Sequence, residues 1–271
     1  MHVIGFGGAG CKIAIKFSDY TQYEVHLVDK GQEYQLPATN TIEEAEKTAP
    51  FFQELVEKID DDVIFICSGS GITSGAMLAV LESIKHAKIT VLYIKPDVAF
   101  LNSAAKQRER LVYNVLQQYA HSGAFERLYI FSNPSMASIL GELSISEYYD
   151  KINSLISGTV HMINYLNNTD SIMSNISPTA ETNRISTIGF YDSATATEKY
   201  FFDLKNIREK NFYYTFSERT LTEEKNLLNK IATEIKSAGQ DELTTVSYSI
   251  TSTEYENSYV YLVAHTNFVQ E

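Results

Sequence analysis

Short apolar runs alternate with longer amphipathic stretches through the first half of the chain. Apolar runs bounded by glycine, proline or charged residues predict buried strands, and periodic apolar positions between them predict helices. The predicted strands are His2–Gly5, Glu24–Val28, Val63–Cys67, Ile89–Ile94 and Leu128–Phe131. The predicted helices are Cys11–Phe17, Glu43–Ile59, Ala76–His86 and Ala104–Tyr119. Strands and helices in alternation predict a parallel sheet with helices on both faces.

A long helical pattern and a module of different character follow. The long helix is predicted over Ser146–Leu166, and the polar stretch Thr169–Asn183 is predicted to be a loop or linker. Beyond it we predict the strands Ile185–Tyr191, Thr245–Thr251 and Ser258–Thr266 and one helix, Thr222–Ser237. The fold class is therefore α/β, with a doubly wound, mostly parallel sheet, a long central helix and a smaller α+β domain. The parallel-sheet domain is predicted over 1–145, the central helix over 146–168, the loop and linker over 169–183, and the α+β domain over 184–271.

Composition narrows the functional classes. The chain has 271 residues, of which 44% are hydrophobic and 21% charged, and this balance excludes wholesale disorder. The net charge of −12 opposes direct binding of nucleic acid. No apolar run approaches the roughly 18 residues that span a bilayer, so no membrane span is predicted. The first residues do not resemble a signal peptide, and we expect a cytoplasmic protein.

Cysteine and histidine usage gives little sign of metal chemistry. The two cysteines, Cys11 and Cys67, cannot form a disulfide framework and fit a reducing compartment. Neither has a partner at ligand spacing, and the six histidines are expected not to cluster. The sequence therefore predicts no transition-metal site.

The first glycine-rich segment has a nucleotide-binding pattern. Gly5, Gly7 and Gly10 match G-x-G-x-x-G between a predicted strand and a predicted helix. Glycine lets the backbone approach phosphate oxygens, and the helix N-terminus offers free amides. Asp29 ends the next strand, where a carboxylate can hold a ribose hydroxyl. An NAD-dependent Rossmann oxidoreductase would show the same features, and a tight turn without a ligand is a further alternative.

A second small-residue loop, Ser68–Gly75, also lies between a buried strand and a helix. A simple dinucleotide fold does not need it. It makes a second anion cradle at the same edge of the sheet, and two such cradles could hold one triphosphate. A loop kept only for packing is the alternative.

The order of these features resembles the tubulin/FtsZ superfamily, and the chain's small size resembles a phage- or plasmid-encoded member. Ile4–Gly10 is similar to the first nucleotide loop of FtsZ, and Phe65–Gly75 is similar to the signature loop, GGGTG followed by S or T and G. The chain departs from that signature at Ser70, Ile72 and Thr73. The resemblance implies the following nucleotide-binding residues: Gly5, Gly7, Gly8, Gly10, Cys11, Asp29, Gly69, Ser70, Gly71, Thr73, Ser74 and Gly75.

Further along, residues that would contact the rest of the nucleotide fall in family order. Arg108, or alternatively Arg110, would be the cation near the phosphates or ribose, and a solvated surface arginine is the alternative for each. Asn133 follows a strand at the position where the family reads the guanine edge, although a turn asparagine before proline is the alternative.

The long helix carries a tyrosine–asparagine pair that resembles a tubulin segment. Tyr149 and Asn153 are four residues apart, which places both side chains on one helix face. The ring can stack on a purine, and the amide can pair with guanine. Tyr148 is the alternative stacking residue, and a pair packed against the sheet is the alternative to base binding.

The loop after the long helix resembles the family's catalytic loop. Asn168 and Asp170 match the family's N-x-D, while Met173 occupies the position of a second aspartate in FtsZ. The resemblance implies GTP/GDP and Mg²⁺ as cofactors, head-to-tail self-assembly into filaments, and GTP hydrolysis completed by Asp170 of a neighbouring subunit. An adaptor protein is a further candidate partner. A turn after the helix is the alternative for this loop, and a structural homologue without hydrolysis is the alternative function.

Overall fold

The computed structural model describes residues 1–239 and 243–271 and divides into two compact units, Met1–Ser157 and Gly158–Gln270. The boundary between the units lies between Ser157 and Gly158, inside the long helix that was predicted as a separate element over 146–168.

A parallel sheet forms the centre of the first unit. Its strands run in the order β3-β2-β1-β4-β5-β6, and each neighbouring pair is parallel. The strands are β1 (His2–Phe6), β2 (Glu24–Asp29), β3 (Tyr34–Gln35), β4 (Val63–Cys67), β5 (Ile89–Lys95) and β6 (Arg127–Ser132). Every residue of β1 and β4 is buried, as expected of strands covered on both faces. This arrangement confirms the predicted α/β class.

Helices connect and follow these strands. They are α1 (Gly7–Ala14), α2 (Ile42–Lys47), α3 (Gln53–Lys58), α4 (Met77–Ser83), α5 (Ser103–His121), α6 (Asn133–Leu140) and α7 (Tyr148–Asn167). Short 3₁₀ segments occupy Ile15–Asp19, Ile72–Ala76 and Val98–Phe100. α6 was absent from the sequence prediction. Ser132 accepts a bond from the amide of Ser135 at its start, and Pro134 lies in its first turn, both typical of a helix N-terminus.

The predicted helix Glu43–Ile59 is wrong as a single element. The structure has two short helices, α2 and α3, separated by residues 48–52. Pro50 explains the interruption, because it lacks an amide hydrogen and disfavours helical geometry in the residue before it.

The strands of the second unit have mixed parallel and antiparallel pairing. β7 (Met173–Ser174), β8 (Ile185–Asp192), β9 (Thr197–Tyr200), β10 (Glu209–Ser217), β11 (Thr245–Thr253) and β12 (Tyr259–Thr266) are its strands. The path is β8-β12-β10-β11-β7 with β9 beside β8, and among these pairs only β10 and β11 are parallel. An aromatic core of Tyr191, Phe212, Tyr214 and Phe216 lies on these strands.

The sequence analysis did not predict β9 or the central strand β10, and it predicted one helix where this unit has two. The helices are α8 (Glu218–Glu223) and α9 (Leu227–Ala238), so the predicted single helix Thr222–Ser237 is wrong. The polar run 224–226 between them has no apolar residue to anchor a continuous helix face.

None of the helices in the described parts of the chain has the length and apolar character required to cross a membrane.

Candidate functional site

The strand order of the first unit reverses between β1 and β4. To one side the sheet continues through β2 and β3, and to the other through β5 and β6. The connections that leave the two strands at such a reversal pass to opposite faces of the sheet, and ligands of open α/β sheets bind in the crevice between them at the carboxyl ends of the strands. Both glycine-rich loops of the sequence follow these two strands.

The glycines of the first loop serve different physical purposes. Gly7 opens α1 with a φ of +69°, a conformation that favours glycine. Gly10 packs α1 against β4, since a Cβ there would lie 2.2 Å from the carbonyl oxygen of Ile66. Gly5 is similarly tight, with a Cβ position 2.6 Å from the Cβ of Ala14. Gly7 therefore shapes the loop, whereas Gly5 and Gly10 permit close packing beneath it.

The second loop is ordered by its own side chains. Ser74 is buried, and its hydroxyl donates to the carbonyl oxygens of Gly71 at 2.7 Å and Gly69 at 3.3 Å. Gly75 allows close approach of α2, because its Cβ position is 2.1 Å from the carbonyl oxygen of Ile42. The Ser74 hydroxyl, predicted to face phosphate, is thus engaged with the loop backbone.

The two loops converge on one space. The hydroxyl oxygen of Thr73 lies 3.5 Å from the Cβ position of Gly7 and 3.5 Å from that of Gly71. A carboxylate oxygen of Asp29 lies 3.7 Å from the Cβ position of exposed Gly8. The structure therefore brings both loops and Asp29 together at the carboxyl edge of the sheet.

Neither cysteine is prepared for nucleophilic chemistry. The Cys11 thiol donates to the carbonyl oxygen of Gly5 at 3.1 Å. Burial, followed by the charge of Asp29, raises the pKa of Cys11 to about 11, and burial raises the pKa of Cys67 well above its usual value. Both thiols remain protonated near neutral pH, so Cys11 contributes packing and its backbone to this edge.

A buried polar cluster supports the second loop from α5 and β5. The Arg108 guanidinium Nε donates to the carbonyl oxygen of Ser70 at 3.0 Å, so Arg108 orders the loop backbone. Next to it, buried Glu109 lies 3.7 Å from the Lys95 ammonium and accepts from the Tyr93 hydroxyl at 3.2 Å. The Lys95 ammonium also lies 3.6 Å from the ring centre of Tyr113.

The sequence analysis did not identify Glu109 as a buried residue, although its position in the helix indicates burial. It occupies the apolar stripe of α5, in line with Ala105, Val112 and Leu116, where a carboxylate needs a partner. Burial lowers the pKa of Lys95, and the nearby Glu109 opposes that shift. The paired charges therefore hold the end of β5 against α5, close below the loop.

Asn133 has an unsatisfied acceptor at the end of β6. It is the first residue of α6 and only 8% exposed, and its side-chain Oδ1 has no hydrogen-bond partner among residues 1–239 and 243–271. A buried acceptor without a donor costs free energy, so a donor from a ligand would be favourable here.

The tyrosine–asparagine pair lies on the first half of α7. Tyr149 is 59% exposed, and Asn153 is half-buried on the same helix face. Asp150 between them accepts from the Lys16 ammonium at 2.7 Å, which ties this part of α7 to the segment after α1. The Tyr148 ring makes an edge contact with Tyr149, at 5.1 Å between centres.

Asn168 and Asp170 belong to the second unit. Asn168 and Thr169 donate from their side chains to carbonyl oxygens of the last turn of α7, those of Asn164 and Tyr165, each at 2.8 Å. Asp170, just beyond, is exposed. Asn168 therefore caps the helix, and Asp170 presents its carboxylate to solvent.

The expectation that the histidines do not cluster is wrong. His2 and His26 are buried, and their ring nitrogens Nδ1 and Nε2 lie 3.1 Å apart. Their separation in sequence hides this contact, because it depends on the pairing of β1 with β2.

Comparison with known proteins gives different results for sequence and for structure. No family model and no curated protein matches the sequence. Solved structures match over nearly the whole chain. FtsZ of M. jannaschii, described as an empty dimer, has a TM-score of 0.72 at 15% identity, covering 98% of this chain and 87% of its own.

Two protofilament structures are also similar. TubZ of Bacillus thuringiensis serovar israelensis in its GTPγS form has a TM-score of 0.76 at 14% identity, covering 97% of this chain and 86% of its own. CetZ2 of Haloferax volcanii, bound to GTPγS, has a TM-score of 0.75 at 12% identity, covering 97% and 92%. This chain therefore has a tubulin/FtsZ-like fold.

Proposed function

We propose that this protein binds GTP at the carboxyl edge of its parallel sheet and polymerises head to tail, with GTP hydrolysed between subunits. One observation carries the proposal. The loops after β1 and β4 meet at the strand-order reversal, where the Thr73 hydroxyl of the second loop lies 3.5 Å from the position that a Cβ would take on Gly7 of the first. A single elongated anion placed there would touch both loops.

The phosphates would be held mainly by backbone amides. The amino end of α1 begins with Gly7 and exposed Gly8, which carry no side chains to cover its first amides. The Thr73 hydroxyl supplies a further donor, while Ser74 and Arg108 keep the second loop in shape. Mg²⁺, which prefers phosphate oxygens and water as ligands, would neutralise phosphate charge when bound.

The base would be recognised by amides and an aromatic ring. Guanine presents the donors N1–H and N2–H₂ next to an acceptor, and an amide side chain can serve both kinds of group. Asn133 contributes an acceptor to which no residue in the described part of the chain donates, and Asn153 contributes a second amide. Exposed Tyr149 offers a stacking surface. This set of groups favours GTP over ATP.

Assembly would bring the second unit of one subunit to the nucleotide of the next. The exposed carboxylate of Asp170 can align a water molecule once a neighbour presents phosphate to it. A head-to-tail contact of this kind does not close on itself and generates filaments. The protofilament forms of TubZ and CetZ2 support this arrangement.

A structural homologue that assembles without turnover is the second candidate. Ile72 stands in the second loop where the family signature has threonine, and exposed Met173 stands where FtsZ has an aspartate. Both changes remove polar groups from positions associated with phosphate or catalytic water.

Sedimentation tests assembly directly. With GTP or a non-hydrolysable analogue we expect the protein to pellet as filaments visible by electron microscopy, and with GDP we expect markedly less polymer. Matched samples with ATP control for nonspecific effects of triphosphate. Absence of nucleotide-dependent polymer at high protein concentration would contradict the filament proposal.

A further inference from the structure

The amino-terminal edge of the sheet carries a cluster of potential metal ligands, opposite the edge that holds the glycine loops. In the parallel pairing of β1 with β2, His2 lies beside Glu24 and Ile4 lies beside His26. Alternate residues of a strand share a face, so Glu24 and His26 project to the same side. The two strands thereby place His2, Glu24 and His26 together, although residue 2 is far from the other two in sequence.

The distances suit a shared cation. His2 Nδ1 lies 3.1 Å from His26 Nε2. The two carboxylate oxygens of Glu24 lie 3.8 Å from these nitrogens, Oε2 from His2 and Oε1 from His26. Zinc bonds of about 2.0–2.2 Å to nitrogen and oxygen separate tetrahedral ligand atoms by roughly 3.3 Å. One ligand atom from each of the three residues lies within 4.8 Å of the other two, and side-chain rotations would bring these three atoms to that spacing.

The surroundings orient the two imidazoles. His26 is 1% exposed, so its ring is held in place by the packing around it. The other ring nitrogen of His2, Nε2, lies 3.2 Å from a carboxylate oxygen of Asp60. With the proton on Nε2, this bond leaves the lone pair of Nδ1 directed at the cluster. A carboxylate on the outer nitrogen of a ligating histidine is a common feature of zinc sites.

We propose that His2, Glu24 and His26 form a binding site for a divalent transition-metal ion of the zinc class, with Asp60 orienting His2. The Glu24 side chain is 58% exposed, which gives the ion a path from solvent and leaves a coordination position for water. Two imidazoles and one carboxylate suit Zn²⁺, whereas Mg²⁺ and Ca²⁺ prefer oxygen ligands only. The site joins β1 to β2 and does not depend on nucleotide binding.

The test uses full-length protein without a histidine tag, stripped of metal with a chelator. Titration with Zn²⁺ against a chromophoric chelator should give one ion per chain and raise the melting temperature, and Co²⁺ should give visible absorption typical of four- or five-coordination. The exposed variant Glu24→Gln should weaken Zn²⁺ binding at least tenfold, and Asp60→Asn should also weaken it. The control Glu82→Gln changes a surface carboxylate on α4 and should bind like the wild type.

Absence of stoichiometric Zn²⁺ binding would overturn the proposal, as would equal affinities for Glu24→Gln and wild type. Because Glu24 is exposed, its variant should remain folded, and circular dichroism of the metal-free proteins checks this. His26→Gln removes a buried ring, so its Zn²⁺ binding is compared with that of the wild type only after circular dichroism shows that it is folded. The folded variant should fail to bind Zn²⁺, and binding at wild-type affinity would contradict the proposal. Equal binding of Mg²⁺ and Zn²⁺ would also contradict the proposed ligand set.

Discussion

Replacing Gly10 by alanine should destabilise the first unit by about 3 kcal/mol or more, at the upper end of the cost of overpacking. The added Cβ would lie 2.2 Å from the carbonyl oxygen of Ile66. Ile66 cannot move away easily, because β4 is paired on both sides, with β1 and β5. A loss of this size is a large share of the 5–15 kcal/mol that stabilises a typical domain.

Urea unfolding followed by circular dichroism measures this effect. Gly158→Ala is the matched control, since the added methyl would meet nothing within 4 Å in the middle of α7. That change should stabilise the protein by roughly 0.5–1 kcal/mol through helix propensity. If the free energies of unfolding of Gly10→Ala and wild type agreed within about 0.5 kcal/mol, the described packing of α1 on β4 would be incorrect.

Replacing Asp170 by alanine should lower GTP turnover by about 10²- to 10⁴-fold while assembly with GTP is retained. The expectation follows from the proposed function, in which this carboxylate aligns water at the phosphate of a neighbouring subunit. The side chain is exposed, so its removal should leave the fold of the second unit intact.

Phosphate release during assembly measures the Asp170 effect, with pelleting as the parallel readout. Glu181→Ala is a suitable control, because Glu181 is an exposed acidic residue later in the same connecting segment. Wild-type turnover in Asp170→Ala would exclude the assigned role. Negligible turnover in both proteins, with normal assembly, would instead identify the non-hydrolysing structural homologue.

Five strands of the parallel sheet, β1, β2, β4, β5 and β6, could be predicted from sequence, because the apolar runs that form them are local features. Strands such as Val63–Cys67 are continuous apolar runs, and the glycines that follow mark the turns. β10 was missed because its pattern is not apolar throughout. Its buried residues include Asn211 and Thr215, which have hydrogen-bonding partners that only the folded sheet supplies.

The glycine loops of the candidate site could also be predicted, whereas the roles of single side chains could not. Ser74 looks like a phosphate donor in sequence, yet its hydroxyl bonds to Gly71 in the folded loop. Glu109 reads as a surface residue between two arginines but is buried against Lys95. The His2–His26 contact depends on strand pairing, which residue spacing alone does not reveal.

Nucleotide selectivity of the purified protein tests the central claim most directly. Competition binding with GTP, ATP and NAD, repeated on Asn133→Ala, measures whether the convergent loops hold a guanine nucleotide. The account predicts that GTP binds at least tenfold more tightly than ATP or NAD and that the Asn133 variant loses most of this preference. Equal affinity for GTP and ATP, or preferential binding of NAD, would contradict it.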